Sequence, residues 1–303
     1  MANQDTVLIL GAGASKPYGF PTASELGLMI NGELPDAFAK LKYNDMLREP
    51  VGSWQKFLEA CFVPTKEAPH HPFFIQLQKQ FRESEIYSID RFAFLHPNSE
   101  TMARHYIALI LLLCERQSTL SSGWYRAFWN DVLIPTITSD SAPLEIVTFN
   151  YDRSLEEYVR RASKAAYPTR QKEVLAKIRI HHVYGSLGKL GHGDGCVEYG
   201  EPNYFENSTP FIKLIPPRAE ANDNLGDLIA SKKKALFLGF GFDELNLGVL
   251  GIHAGRRPKQ IFASRMGLSK RLEKAAEERL GPVNWGGPTQ DVEKFIHESE
   301  AFA

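Results

Sequence analysis

Five short apolar runs stand out against a mixed background: Thr6–Leu10, Leu144–Phe149, Ile178–Tyr184, Ala235–Gly239 and Gln260–Ala263. Each is rich in Val, Ile, Leu or Phe and closes near Gly, Asn or Asp, the pattern of strands buried on both faces of a parallel sheet. Helical patterns over Asp152–Lys164, Asp223–Ser231 and Leu268–Leu280 fall around these runs. Alternation of strand and helix predicts an α/β fold with a doubly wound, mostly parallel sheet. The long interval between the first and second runs reads mainly as helix, over Glu25–Gly32, Pro35–Leu47, Ser53–Phe62 and the strongly apolar Thr101–Glu115. It predicts a large helical insertion over 35–131, with 1–34 and 132–303 forming the sheet domain. The stretch Gly188–Pro217, rich in Gly, Asn and Pro, predicts irregular or hairpin structure near the site.

Composition narrows the picture. A chain of 303 residues that is 43% hydrophobic buries a large core. Its 35 Lys and Arg against 36 Asp and Glu leave a formal charge of −1. That balance gives no electrostatic reason to expect nucleic acid or an anionic membrane as partner. The three cysteines, Cys61, Cys114 and Cys196, are far apart and include no Cys-x-x-Cys pair, so no zinc ribbon or redox motif is built locally. So sparse and odd a count fits a reducing compartment. The N-terminal apolar run is too short for a signal peptide, and Ile107–Cys114 falls well short of the roughly 20 residues that cross a bilayer. The expectation is a cytoplasmic protein without a membrane anchor. His70-His71 has no accompanying ligand spacing, and no metal is assigned.

Candidate chemistry gathers at the ends of the apolar runs. The first passes straight into Gly11-Ala12-Gly13-Ala14-Ser15, then Pro17-Tyr18-Gly19-Phe20-Pro21-Thr22. Small residues after a strand let backbone approach a pyrophosphate, and the following helix N-terminus favours an anion. Lys16 stands where a dehydrogenase fingerprint needs its third glycine, and no Gly-Lys-Ser/Thr follows for a P-loop. Taken alone, the loop fits a nucleotide site and a plain tight turn equally. The second run ends in Thr148-Phe149-Asn150-Tyr151-Asp152. Capping of the next helix explains Asp152 but not Asn150. The third ends in His181-His182-Val183-Tyr184-Gly185-Ser186, where extended backbone would put His182 and Tyr184 on one face; the plainer alternative is a pair of core histidines. The fourth ends in Gly239-Phe240-Gly241-Phe242-Asp243, a Gly-rich turn at the edge where α/β sheets bind ligands. Ser88-Ile89-Asp90-Arg91-Phe92 lies in the insertion, and a salt-bridged surface role for Asp90 is its bland reading. Lys232–Lys234 reads as a solvated helix end.

In this order the motifs resemble those of the sirtuin superfamily. GAGASKPYGFPTASEL is similar to its first motif and closest to the bacterial sirtuin-like branch, in which a Thr/Ser-x-x-Glu-Leu ending, here Thr22 to Leu26, replaces the Asp-Phe-Arg of deacylases. The resemblance implies a Rossmann-like sheet binding NAD⁺. It implies that Gly11, Ala12, Gly13, Ala14, Ser15, Pro21, Thr22, Asp90, Gly185, Ser186, Gly239, Phe240 and Gly241 line the dinucleotide. It also implies that Asn150 and Asp152 face the nicotinamide ribose, where loss of nicotinamide leaves an oxocarbenium-like sugar to be positioned against water. The family usually has His-Gly at the third strand end, with His as general base; here Tyr184 precedes Gly185. Two readings stay open. Either His182 supplies the base with Tyr184 lining the ribose, or the chain is a catalytically silent NAD⁺- or ADP-ribose-binding subunit.

Members of this branch destroy NAD⁺ in bacterial antiphage defence, often beside a sensor or an ATPase. The resemblance therefore implies a regulated NAD⁺ hydrolase (an NADase of abortive infection) releasing nicotinamide and ADP-ribose, with a second protein or further copies of the chain as partner. The missing zinc-ribbon cysteines weigh against lysine deacylation.

Overall fold

The computed structural model describes residues 5–33, 71–121, 123–139, 142–191, 196–201, 205–215 and 222–298. The expected helices Pro35–Leu47 and Ser53–Phe62 lie outside the described residues. Six strands form one parallel sheet: β1 Thr6–Leu10, β2 Leu144–Thr148, β3 Ile178–His182, β4 Lys234–Leu238, β5 Gln260–Ala263 and β6 Asn284–Trp285. Their spatial order is β3-β2-β1-β4-β5-β6, the doubly wound Rossmann-like arrangement with helices flanking the sheet. All five residues of β1 and of β2 are buried, which is why both read as unbroken apolar runs. At the sheet edge, β3 alternates, with Arg179 and His181 exposed and Ile178, Ile180 and His182 half-buried. The chain builds β2 and β3 on one side of β1, then returns past it to β4 on the other. That reversal makes β1 and β4 the topological switch point, and sheets of this kind take ligands near the carboxyl ends of the strands there.

The chain divides into two compact units. One comprises 1–18, 117–183 and 218–303 and holds the sheet; the other comprises 19–116 and 184–217. The boundaries expected from the sequence fall instead at 34/35 and 131/132, with 184–217 in the sheet domain. In the second unit the helices Ala23–Ile30, His71–Glu83, Ile89–Leu95 and Glu100–Cys114 bury Leu26, Met29, Phe74, Leu77, Phe81 and Phe92. The helix Glu100–Cys114 is buried almost all round from Met102 onward, as a strongly apolar helix without a polar face must be. The Gly188–Pro217 stretch belongs to this unit and carries the short strands Lys189–Leu190 and Cys196–Val197, paired with each other.

In the sheet unit a helical stretch runs from Trp124 to Thr138, with a π-helical segment at Phe128–Leu133. Pro135 has no N–H to return to the preceding turn, and the widened segment accommodates it. Trp124 Nε1 donates to the Ala14 carbonyl at 2.8 Å, which ties this stretch to the loop after β1. Among the described residues no helix is long and apolar enough to cross a membrane.

Candidate active site

The glycines after β1 and β4 form a backbone interlock. Gly11 N–H donates to the Leu238 carbonyl at 3.0 Å and Gly13 N–H to the Gly239 carbonyl at 2.9 Å. A Cβ on Gly11 would stand 2.6 Å from the Gly239 oxygen, and one on Gly239 would stand 2.0 Å from the Ala14 nitrogen. Gly239 also holds φ at +57°, a left-handed conformation that favours glycine. Here the small residues let two strand ends touch, and the Gly11 and Gly13 N–H groups are spent on β4. The expected pyrophosphate cradle therefore loses those two donors. Phe240, expected to line the dinucleotide, turns its ring into the core against Phe149, Phe237 and Phe242. Gly241 lies in open space, and Asp243 caps the next helix by accepting from Asn246 N–H at 3.0 Å.

Beside this interlock, polar groups from the ends of β1, β2 and β3 converge on a tight cleft of about 10 Å³, lined by Ser15, Tyr125, Thr148, Asn150, Asp152, Glu156 and Ile180. Asn150 is its centre. Its Nδ2 donates to the Gly11 carbonyl at 3.1 Å and to Ser15 Oγ at 2.9 Å. Because a carbonyl can only accept, the amide orientation is fixed, and Oδ1 is left buried with no hydrogen-bond partner. An unsatisfied buried acceptor costs about 1–3 kcal/mol. Natural folds rarely leave one without reason.

Asp152 lies two residues on. Its Oδ1 accepts from Ser154 N–H at 3.1 Å and from the Ser154 hydroxyl, and its carboxylate also bonds Ser15. The plainer alternative to a ribose-facing Asp152 is a cap on the following helix. The N-cap position falls to Arg153, and Asp152 satisfies the helix end from one residue earlier. Burial holds the Asp152 carboxyl above its ordinary range; the bonds from Ser154 and Ser15 pull it down, and the charge of Glu156 adds to the rise. Tyr125 O–H lies 2.6 Å from Ser154 Oγ, and since Ser154 gives its proton to Asp152, Tyr125 is the donor. A connected polar chain thus runs Tyr125–Ser154–Asp152–Ser15–Asn150.

His182, at the end of β3, points into the same group. Its Nδ1 lies 2.9 Å from the Asn150 carbonyl and its Nε2 2.6 Å from Glu156 Oε1. Burial alone would push the imidazole down, but the charge and hydrogen bond of Glu156, the Asn150 carbonyl and the Asp152 charge outweigh it and raise its affinity for a proton. The expectation that His182 and Tyr184 share a strand face is corrected: β3 ends at His182, Val183 and Tyr184 form a turn, and Gly185 follows at φ +76°. Strand alternation does not survive that turn.

The remaining predicted residues belong to the second unit. Tyr184 is buried there, and its carbonyl accepts from Lys213 N–H at 2.8 Å. Gly185 is required by close approach, since a Cβ would meet the Phe211 oxygen at 1.9 Å. Ser186 Oγ accepts from Gly188 N–H at 3.2 Å. Thr22 and Glu25 form a capping box, with Glu25 Oε2 accepting from Thr22 N–H at 2.8 Å, and Pro21 sits buried just before it. The Thr-x-x-Glu ending of the first motif thus has a helix-starting role in this chain. Asp90 is buried and not at the surface, and accepts from Ile215 N–H at 3.0 Å. A larger groove in this unit, lined by Phe73, Leu77, Leu95, His96 and Met102 among others, contains none of the predicted residues and no convergent polar chain.

Glu156, Ser154 and Tyr125 escaped the sequence reading. Glu156 follows Asp152 by four residues, a spacing that places both on one side of a helix start. Acidic residues are favoured in any first turn, so that signal is weak. Among the described residues no cluster of His, Cys, Asp and Glu is arranged to hold a metal. No protein-family model matches the chain, and no curated protein matches it in sequence.

Proposed function

We propose that the chain is an NAD⁺ hydrolase that cleaves the nicotinamide–ribose bond, releasing nicotinamide and ADP-ribose. The observation that carries the reading is the unpaired Asn150 Oδ1, buried in a cleft at the carboxyl edge of a Rossmann-like sheet. A ribose hydroxyl or a water supplies the donor that this oxygen lacks. The cleft offers about 10 Å³, room for a single water against the roughly 300–1,000 Å³ of a whole ligand site, so it suits the attacking water, and a dinucleotide would have to lie outside it. Asn150 is neutral and adds no charge to compete with the cationic sugar, while the carboxylates of Asp152 and Glu156 lie on the same cleft and favour developing positive charge. With Gly11 and Gly13 N–H engaged, the dinucleotide's phosphates would meet the Ala12 side of the loop.

The sirtuin-like motif order supports a place in bacterial antiphage defence, as a cytoplasmic effector held in check by a sensor, an ATPase or its own copies. A second reading, a silent NAD⁺- or ADP-ribose-binding subunit, is favoured by one observation: both His182 nitrogens face acceptors, so the ring expected to act as base is already engaged.

Chromatography of NAD⁺ after incubation with the protein, co-purified with the products of neighbouring genes, separates the two. The hydrolase reading expects nicotinamide and ADP-ribose, and loss of both with Asn150→Ala. Binding of NAD⁺ by calorimetry with no product selects the silent subunit. Undiminished nicotinamide release by Asn150→Ala removes Asn150 from the mechanism.

A further inference from the structure

The pair His182–Glu156 has a chemical consequence that rests on the hydrolase reading above. An acceptor faces each nitrogen of His182, so each nitrogen needs a hydrogen. The ring is therefore an imidazolium, without a lone pair to receive a proton. Asp152 is no better placed, being buried and committed to Ser15 and Ser154. Glu156 differs from both. Its Oε1 accepts from His182, while Oε2 has no hydrogen-bond partner among the described residues, and its side chain lines the cleft beside Asn150 with 26% of its surface exposed.

We propose that Glu156 is the general base of this site and that His182 is a positioning residue, a fixed cation that aims the Glu156 carboxylate and braces the Asn150 backbone. The bond between ribose C1′ and the pyridinium nitrogen breaks, and its electron pair goes to that nitrogen, giving neutral nicotinamide. The oxygen of a water held at Asn150 bonds to C1′. Its proton passes to Glu156 Oε2 and then to solvent, so NAD⁺ and water yield nicotinamide, ADP-ribose and a proton.

Chemical rescue tests the assignment on the full chain with its partner present. Glu156→Ala is expected to lower nicotinamide release by about 10²–10⁴-fold, the usual worth of a positioned base. Added formate, which fits the space left by the carboxylate, restores at least about tenfold. Glu156→Gln keeps the shape, cannot take a proton, and should be as inactive and refractory to formate; it decides the matter if the alanine variant fails to fold. His182→Ala should lose activity that imidazole does not restore. Activity of Glu156→Gln within about threefold of the parent, while Asn150→Ala is dead, overturns the base assignment and leaves the hydrolase reading standing. Rescue of His182→Ala by imidazole overturns it in favour of the ring. Absence of nicotinamide from the unaltered protein removes both readings together.

Discussion

Asp152 is a carboxylate whose surroundings resist its charge. Burial raises its proton affinity, the bonds from Ser154 and Ser15 only partly offset that, and Glu156 adds a like charge nearby. A folded-state value above the unfolded one means that the stability linked to the protonated form is fully present below the unfolded value, near 3.9, and is lost as pH rises through the folded value. The penalty for holding the charged form therefore grows as pH rises from the unfolded value toward neutrality. Asp152→Asn keeps an oxygen to accept from Ser154 and removes the charge. The variant should therefore unfold at higher denaturant than the parent at pH 7, with its advantage shrinking toward pH 4, as urea titrations monitored by fluorescence would show. Equal midpoints at both pH values would mean that Asp152 carries no strain. Its turnover should fall even as stability rises, because one of the two carboxylates beside the developing sugar cation is gone. Asn150 shows the same tension, since an oxygen left unsatisfied inside a fold costs stability until a ligand pairs with it.

At the level of elements, the join between the ends of β1 and β4 should be the least tolerant place in the sheet unit. Gly239→Ala puts a methyl group 2.0 Å from the Ala14 nitrogen and holds it at φ +57°, so backbone has to move. A loss of about 3 kcal/mol or more is expected, the sum of strain at a special φ and overpacking. Gly241, two residues on, has nothing within 4 Å and no positive φ, and Gly241→Ala should stay within about 0.5 kcal/mol of the parent. Equal unfolding free energies for the two variants would refute the interlock. This join also marks how far the sequence could be read. The run Thr6–Leu10 is a strand to the residue, because burial on both faces leaves an unbroken apolar signal. β6 has only Asn284 and Trp285 and no apolar run, so periodicity could not find it. The glycine loop was legible as a close approach, but its partner was not. Pyrophosphate and a second backbone ask for the same absence of side chains, and only the Leu238 and Gly239 carbonyls decide between them. In the same way Asn150 stood out because capping could not explain it, whereas Glu156 hid in a helix start where any acid is welcome.

On the scale of the whole molecule, the chain's two units give separate reporters. Trp124, Trp129 and Trp285 belong to the sheet unit, and the fourth tryptophan of the chain, Trp54, lies outside the described residues. Tryptophan emission therefore follows mainly the unit that holds Ser15, Asn150, Asp152, Glu156 and His182, while far-UV ellipticity sums helices of both. A ligand that binds only folded protein stabilises by RT ln(1 + [L]/Kd), about 2.7 kcal/mol at a hundredfold excess over Kd. For a unit of this size, that is a rise of roughly 5–10 °C in the melting midpoint. ADP-ribose is the better probe, because it survives both an active hydrolase and a silent binder. If the ribose seats over the cleft around Asn150, ADP-ribose should raise the tryptophan-monitored midpoint by that amount. Filling of the cleft by Ser15→Leu should abolish the rise. A melt unmoved by saturating ADP-ribose and by NAD⁺ alike would separate this sheet from dinucleotides altogether, because binding to the folded state cannot occur without shifting the unfolding equilibrium.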